Sequence, residues 1–119
     1  MVRPRLRHVL ALDLKDDPAL IAEYRRWHRP GGPPPAVTGS IRAAGITGLE
    51  IFLTGNRLVM ILEAEEGFSL AAKGKRDAAD PEVQAWEELM WRFQQALPWA
   101  APGQKWVEME RIYDLSDHR

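Results

Sequence analysis

A chain of 119 residues without cysteine is long enough to bury one core, and it excludes disulfides, thiolate zinc centres and thiol catalysis. With 16 Lys and Arg against 17 Asp and Glu, a net charge of −1, no basic stripe follows a nucleic-acid backbone, so nucleic acid is not an expected partner. No apolar run approaches the roughly 20 residues that span a bilayer, and the basic start Met1-Val2-Arg3-Pro4-Arg5-Leu6-Arg7 leads into an apolar stretch that ends at Asp13 without a cleavage site, so a single cytoplasmic domain over 1–119 is expected, with no membrane partner.

In chain order, Leu6, His8, Leu10, Leu12 and Leu14 alternate with Arg7, Val9, Ala11 and Asp13, a period of two that predicts a first strand with at least one buried face. Asp17-Pro18 is a helix start, carboxylate cap followed by a proline that fits the first turn, and the helix is expected to reach about His28 with Leu20, Ile21, Tyr24 and Trp27 or His28 inward. Arg29-Pro30-Gly31-Gly32-Pro33-Pro34-Pro35 cannot continue it, because proline lacks the N–H and clashes with the preceding turn. A short helix from about Ala36 to Ala44 then ends at Gly45.

Leu49–Leu53 and Arg57–Leu62 are β-rich runs separated by Thr54-Gly55-Asn56, which is hairpin chemistry. After an acidic loop over Glu63–Gly67, a weak helix is expected from Phe68 to about Ala79 and a stronger one from Asp80-Pro81 to about Leu97. Val83, Trp86, Met90, Phe93 and Leu97 follow steps of three and four and give that second helix a core face. A last strand is expected over Lys105–Tyr113, and the polar tail from Ser116 is expected to fray.

The order strand, helices, two strands, helices, strand predicts an α+β domain of the ferredoxin-like kind, a four-stranded antiparallel sheet with helices on one face. Phe52, Met60 and Trp106 are too large and apolar to leave a whole sheet face in water. A homodimer packed sheet against sheet is therefore expected.

The candidate functional side chains are few. Tyr24 and His28 lie four residues apart on the first helix and leave the same face one turn apart. Together they offer a group that exchanges protons near neutral pH and a phenol that donates or accepts a hydrogen bond. Read singly, His28 is equally a surface histidine at a helix end, Tyr24 a core aromatic with its hydroxyl at the rim, and Glu50 a solvated strand carboxylate. Trp86 lies on an apolar stripe and by default belongs to the core. His8, between leucine positions, reads as an interior histidine or a pocket residue, and Trp86 and Trp106 are candidate flat walls for a ring-shaped ligand. No metal-ligand spacing, phosphate loop or nucleophile elbow is present.

Several ordered stretches, taken together, resemble the L-rhamnose mutarotase family and within it the branch associated with L-fucose. They are Leu12-Asp13-Leu14-Lys15-Asp16-Asp17-Pro18, Ile21-Ala22-Glu23-Tyr24 with His28, Ala44-Gly45-Ile46 with Glu50-Ile51, Gly55-Asn56-Arg57-Leu58, Val83-Gln84-Ala85-Trp86-Glu87, and Leu97-Pro98 through Gly103-Gln104-Lys105-Trp106. The resemblance runs from about Arg7 to Leu115. It implies a dimeric α/β-barrel that interconverts the α and β anomers of an L-6-deoxyhexose without metal or organic cofactor, by acid/base ring opening and closure. It places the family's proton-donating histidine on His28 and a substrate-contacting tyrosine on Tyr24; Glu50, Trp86, His8 and Trp106 are the further candidate sugar contacts. Glu87 and Leu49 stand where the rhamnose branch has a second tryptophan and a tyrosine, which favours the fucose branch. The segment Arg29–Pro35 replaces a Trp-Pro-Glu segment after the histidine. Two other functions suit the same architecture: a monooxygenase-like dimeric barrel with a larger apolar cavity, and a sugar-binding or interaction domain without catalysis.

Overall fold

A computed structural model describes residues 6–119; most of the basic amino-terminal segment considered above lies outside the described residues. Strand β1 (Leu6–Leu14) is followed by helices α1 (Pro18–Trp27) and α2 (Pro35–Ala43), strands β2 (Ile46–Thr54) and β3 (Arg57–Ala64), and helices α3 (Leu70–Ala78) and α4 (Pro81–Trp91). Two short strands, β4 (Gln94–Gln95) and β5 (Val107–Glu108), and a 3-10 turn at Leu115–Asp117 complete the chain. The sheet is antiparallel in the order β2-β3-β1-β4, with β5 also on β1. This is the expected ferredoxin-like α+β architecture.

Local chemistry accounts for the boundaries. Asp17 accepts hydrogen bonds from the amides of Ala19 and Leu20 at 2.9 and 3.2 Å, and Pro18 opens α1. Asp80 caps α4 in the same way, through the amides of Glu82 and Val83. Between β2 and β3 the positive φ falls on Gly55 alone, at 56°, the pattern of a two-residue glycine-first hairpin turn. The turn is tied to the end of β1: Leu14 N–H donates to the Asn56 carbonyl at 2.6 Å, and the Asn56 side chain donates to the Leu14 carbonyl at 3.0 Å.

Leu14, Tyr24, Leu58, Met90 and Phe93 form one buried cluster under α1 and α4, and Leu10, Ile46, Leu62 and Ala64 a second. Phe93 and Leu12 are the bulkiest fully buried groups. The register Leu10–Met60–Ile51 and Ala11–Val59–Phe52 separates the two faces by the period-two rule. Rows with Leu10 and Met60 meet the helices, while the Phe52 row faces outward, with Phe52 itself 51% exposed. Asp13, 5% exposed, is held by a two-pronged bond from Arg57, Nε to Oδ1 at 2.8 Å and Nη2 to Oδ2 at 3.2 Å.

Two expectations from the sequence are corrected. Helix α4 ends at Trp91 rather than near Leu97, because the Phe93 carbonyl accepts from Lys15 N–H at 2.8 Å and Gln94–Gln95 pair with Leu14 and Asp13. The free edge of β1 captures residues whose spacing also suited a helix. The expected last strand over Lys105–Tyr113 contracts to Val107–Glu108, prolonged by one bond from Met109 N–H to the Val9 carbonyl at 2.7 Å. Beyond it, Ile112, Tyr113 and Leu115 are 90%, 62% and 72% exposed. At the tail, Asp114 caps the turn by accepting from Ser116 N–H at 2.9 Å.

Candidate active site

Between the helices and the sheet lies a cavity of about 660 Å³, within the usual range for small-molecule sites. Tyr24 and His28 of α1, Trp86, Glu87 and Met90 of α4, Gln94 of β4, and Lys105, Trp106 and Glu108 around β5 line one part of it. Leu10, Ile41, Ile46, Leu49, Met60 and Leu62 line the apolar part. One region therefore offers aromatic faces and polar groups, and the other is largely hydrocarbon, with Thr38, Ser40, Lys73 and Asp77 also on the wall.

His28 is the C-cap of α1. Its Nδ1 lies 2.7 Å from the Tyr24 carbonyl, and since a carbonyl only accepts, Nδ1 carries the hydrogen and Nε2 is the basic nitrogen of the neutral ring. Burial lowers its pKa below the ordinary 6.5, opposed in part by that backbone bond. The ring stacks at a tilt against Tyr24, centroids 4.3 Å apart, and meets Trp86 edge-on at 5.7 Å; Trp27 meets Trp86 at 6.0 Å. Aromatic contacts on two sides and the Nδ1 bond fix the imidazole in one orientation.

Tyr24, 4% exposed, has its phenol pushed up to about 12, chiefly by burial; the hydrogen bond from Gln94 opposes this and the negative Glu87 adds to it. It is a neutral phenol throughout the physiological range. Gln94 Nε2–H donates to the Tyr24 oxygen at 3.2 Å, which leaves the phenolic hydrogen free to be donated elsewhere. Lys105 Nζ donates to Glu87 Oε2 at 2.6 Å and to the Glu87 carbonyl at 3.1 Å, and it sits 4.8 Å from the centre of the Trp91 ring. Burial lowers the Lys105 pKa against the opposing pull of the Glu87 carboxylate.

The structure thus brings together His28, Tyr24, Trp86 and Trp106, four of the six residues singled out from the sequence. His8 does not line the cavity: its Nδ1–H donates to Glu108 Oε2 at 2.6 Å and its ring meets Phe68 edge-on. Glu108 carries that contact to the cavity wall. Glu50 is exposed and not among the lining residues, because strand alternation puts it with Phe52 on the face away from the helices. The sugar contact expected of Glu50 is not available inside this chain.

The proline-rich loop does form a wall, through Pro33. Its path depends on Gly32, whose N–H donates to the Arg29 carbonyl at 2.7 Å and where a Cβ would lie 2.1 Å from the Trp27 carbonyl oxygen. Only glycine allows the loop to fold so closely onto the end of α1. Gln94, Glu87 and Lys105 were not singled out from the sequence. A helical reading of 80–97 puts Gln94 at the edge of the apolar stripe, four residues after Met90, where an amide reads as the polar border of the helix, and the Glu87–Lys105 pair is separated by 18 positions. The adjacent glutamines after the buried Phe93 were the available signal. Among the described residues, no three His, Asp or Glu side chains converge as metal ligands, and no helix is long and apolar enough to cross a membrane.

Residues 7–115 match the family model for L-rhamnose mutarotase. The chain is 56% identical over 117 residues to an L-fucose mutarotase from Xanthomonas campestris pv. campestris, covering 98% of this chain and 92% of that protein. It is 34% identical over 109 residues to a UPF0734 protein from Dictyostelium discoideum, covering 88% of this chain and 86% of that one. The crystal structure of an L-rhamnose mutarotase from Formosa agariphila, 14% identical, shares the fold with a TM-score of 0.63 over 92% of this chain and 97% of that chain. With the family model spanning nearly the whole chain and a full-length relative at more than half identity, the protein belongs to the L-rhamnose mutarotase family.

Proposed function

We propose that the protein is a sugar mutarotase that interconverts the anomers of an L-6-deoxyhexose, L-fucose being the favoured substrate. The observation that carries this reading is the orientation of His28: a neutral imidazole, tied through Nδ1 to the Tyr24 carbonyl, in the wall of a cavity shared with Tyr24, Gln94 and Trp86. Family membership supports the reaction class, and the 56% identical relative named for L-fucose supports the sugar.

In this reading His28 Nε2 takes the proton of the anomeric hydroxyl. The electrons of that O–H bond form the C1 carbonyl, the C1–O5 bond breaks, and O5 takes a proton from the histidinium just formed. Rotation about C1–C2 and the reverse proton movements close the ring on the other face. Trp86 and Trp106 offer flat apolar surfaces for the sugar ring and its methyl group.

The test is saturation-exchange NMR between the anomers of L-fucose, L-rhamnose and D-glucose. Acceleration is expected for a deoxyhexose, greatest for L-fucose; no acceleration of any of the three would overturn the mutarotase reading. The non-catalytic alternative corresponds to sugar binding without faster exchange.

The working unit in this reading is a homodimer with the Phe52 face of each sheet against the other. Its support is the outward, half-exposed Phe52 together with the exposed Met109, Ile112, Tyr113 and Leu115 just beyond β5, large apolar side chains that a second copy would shield from water. Sedimentation equilibrium is expected to give twice the chain mass, falling toward the monomer with Phe52→Glu. A wild-type mass of one chain at micromolar concentration would remove the dimer from the proposal.

A further inference from the structure

We infer that Gln94 contacts the substrate directly and, with Tyr24, reads one sugar hydroxyl. This inference rests on the proposed function and names a specificity residue for that site. Gln94 is 4% exposed, lines the cavity, and uses its Nε2–H on the Tyr24 oxygen. Its Oε1 is fully buried and has no hydrogen-bond partner among the described residues. A buried acceptor left unmatched is costly, and in native proteins such groups are regularly matched by a ligand or solvent molecule.

The chemistry of the pair defines what it takes. Tyr24 already accepts from Gln94, so its O–H hydrogen is the group it has left to give; Gln94 already donates, so Oε1 is left to accept. The two free functions, one donor and one acceptor, belong to side chains within 3.2 Å of each other. A hydroxyl satisfies both at once, accepting from Tyr24 and donating to Gln94, and closes a cycle of bonds that strengthen one another. A carboxylate has no hydrogen for Oε1, and an ammonium has no lone pair for the phenol. The pair therefore selects a neutral hydroxyl.

Gln94 is held to this task by the backbone. Its pairing with Leu14 in the sheet fixes the strand, and alternation sends Gln94 inward while Gln95 is exposed. Helix α4 ends at Trp91, three residues before Gln94, so the sheet pairing rather than the helix sets the direction of this side chain.

The experiment compares wild type with the near-isosteric Gln94→Met, using L-fucose and its 2-, 3- and 4-deoxy analogues, by calorimetric binding and anomer-exchange kinetics. One analogue is expected to bind wild type about tenfold or more weakly, Gln94→Met is expected to weaken L-fucose by a similar factor, and the same analogue is expected to lose less in the variant than in wild type, because only the Tyr24 bond is left to lose. KM should rise with kcat changed by less than about threefold, as for a contact made equally in ground and transition states. A folded Gln94→Met that binds all four sugars as wild type does would overturn the inference alone. A crystal structure of the wild type with L-fucose needs no variant: Oε1 should lie within hydrogen-bond distance of a sugar hydroxyl, and a bound sugar with no hydroxyl there would equally overturn it. Wild type that binds none of the sugars would overturn the site's assignment and this inference together.

Discussion

His28→Ala is expected to slow catalysed anomer exchange by about a hundred- to ten-thousandfold, the range over which a positioned acid–base group ordinarily contributes. The direction follows from the tautomer: with Nδ1–H committed to the Tyr24 carbonyl, Nε2 is the nitrogen available for proton transfer, on the one imidazole among the described residues lining the cavity. Its pH profile carries a second signature. Because burial lowers the His28 pKa below 6.5, the basic form dominates at neutral pH, so the rate should be flat around pH 7 and fall only as pH drops through the lowered value.

The same shift acts on stability with a definite sign. Between 6.5 and the lower folded value the unfolded chain binds more protons at this position than the native one, so native stability declines as pH falls through that window and recovers as pH rises. His28→Ala should flatten that part of the stability profile while removing activity at every pH. Exchange that persists at the wild-type rate in His28→Ala would leave the family assignment standing and refute the role given to this residue.

Phe93→Ala is expected to destabilise the fold by about 3–5 kcal/mol, the usual cost of emptying a phenylalanine site in a packed core. Phe93 is 1% exposed and packs with Leu14, Tyr24, Leu58 and Met90, its ring meeting that of Tyr24 edge-on at 6.1 Å. A loss of that size corresponds to a fall of roughly 10–20 °C in Tm for a domain of this length. Lys75→Ala, at an exposed side chain of α3, should change stability by less than about 0.5 kcal/mol. Thermal and urea unfolding followed by circular dichroism measure both. A Phe93→Ala loss under about 1 kcal/mol would mean that the cavity collapses readily and that Tyr24 does not depend on Phe93 for its position.

The two predictions meet at Tyr24, which touches both the core residue Phe93 and the proposed proton-transfer residue His28. One face of Tyr24 stacks on His28, its edge lies on Phe93, its carbonyl orients the imidazole and its hydroxyl takes the Gln94 amide. Tyr24 is a core aromatic that also lines the cavity.

Read from the chain alone, β1, α1 and the β2–β3 hairpin were legible because their signals are local. Alternation of leucines, Asp17-Pro18 and the Gly55-Asn56 turn act over a few residues, where steric and capping preferences dominate. The Tyr24/His28 pair was legible for the same reason, since four-residue spacing on a helix sets two side chains on one face regardless of what packs against them.

Other features were decided only in three dimensions. Phe93–Leu97 fit a helical stripe, yet the edge of β1 offered Lys15 N–H and the backbone of Leu14 and Asp13 as partners, and pairing to a sheet edge outweighs the small propensity differences of one helical turn. That choice moved Gln94 into the cavity. Glu50 remained ambiguous because alternation tells which residues share a face but not which face the helices will cover; once they covered the Leu10 side, Glu50 was left outside with Phe52. His8 was drawn to Glu108, 100 positions away, a contact no local pattern encodes. The sequence by itself determined the ferredoxin-like order of elements and the histidine–tyrosine pair, because these follow from short-range sterics. The tertiary structure alone decided which polar groups join that pair, because long-range pairing to β1 selects among local conformations of nearly equal free energy.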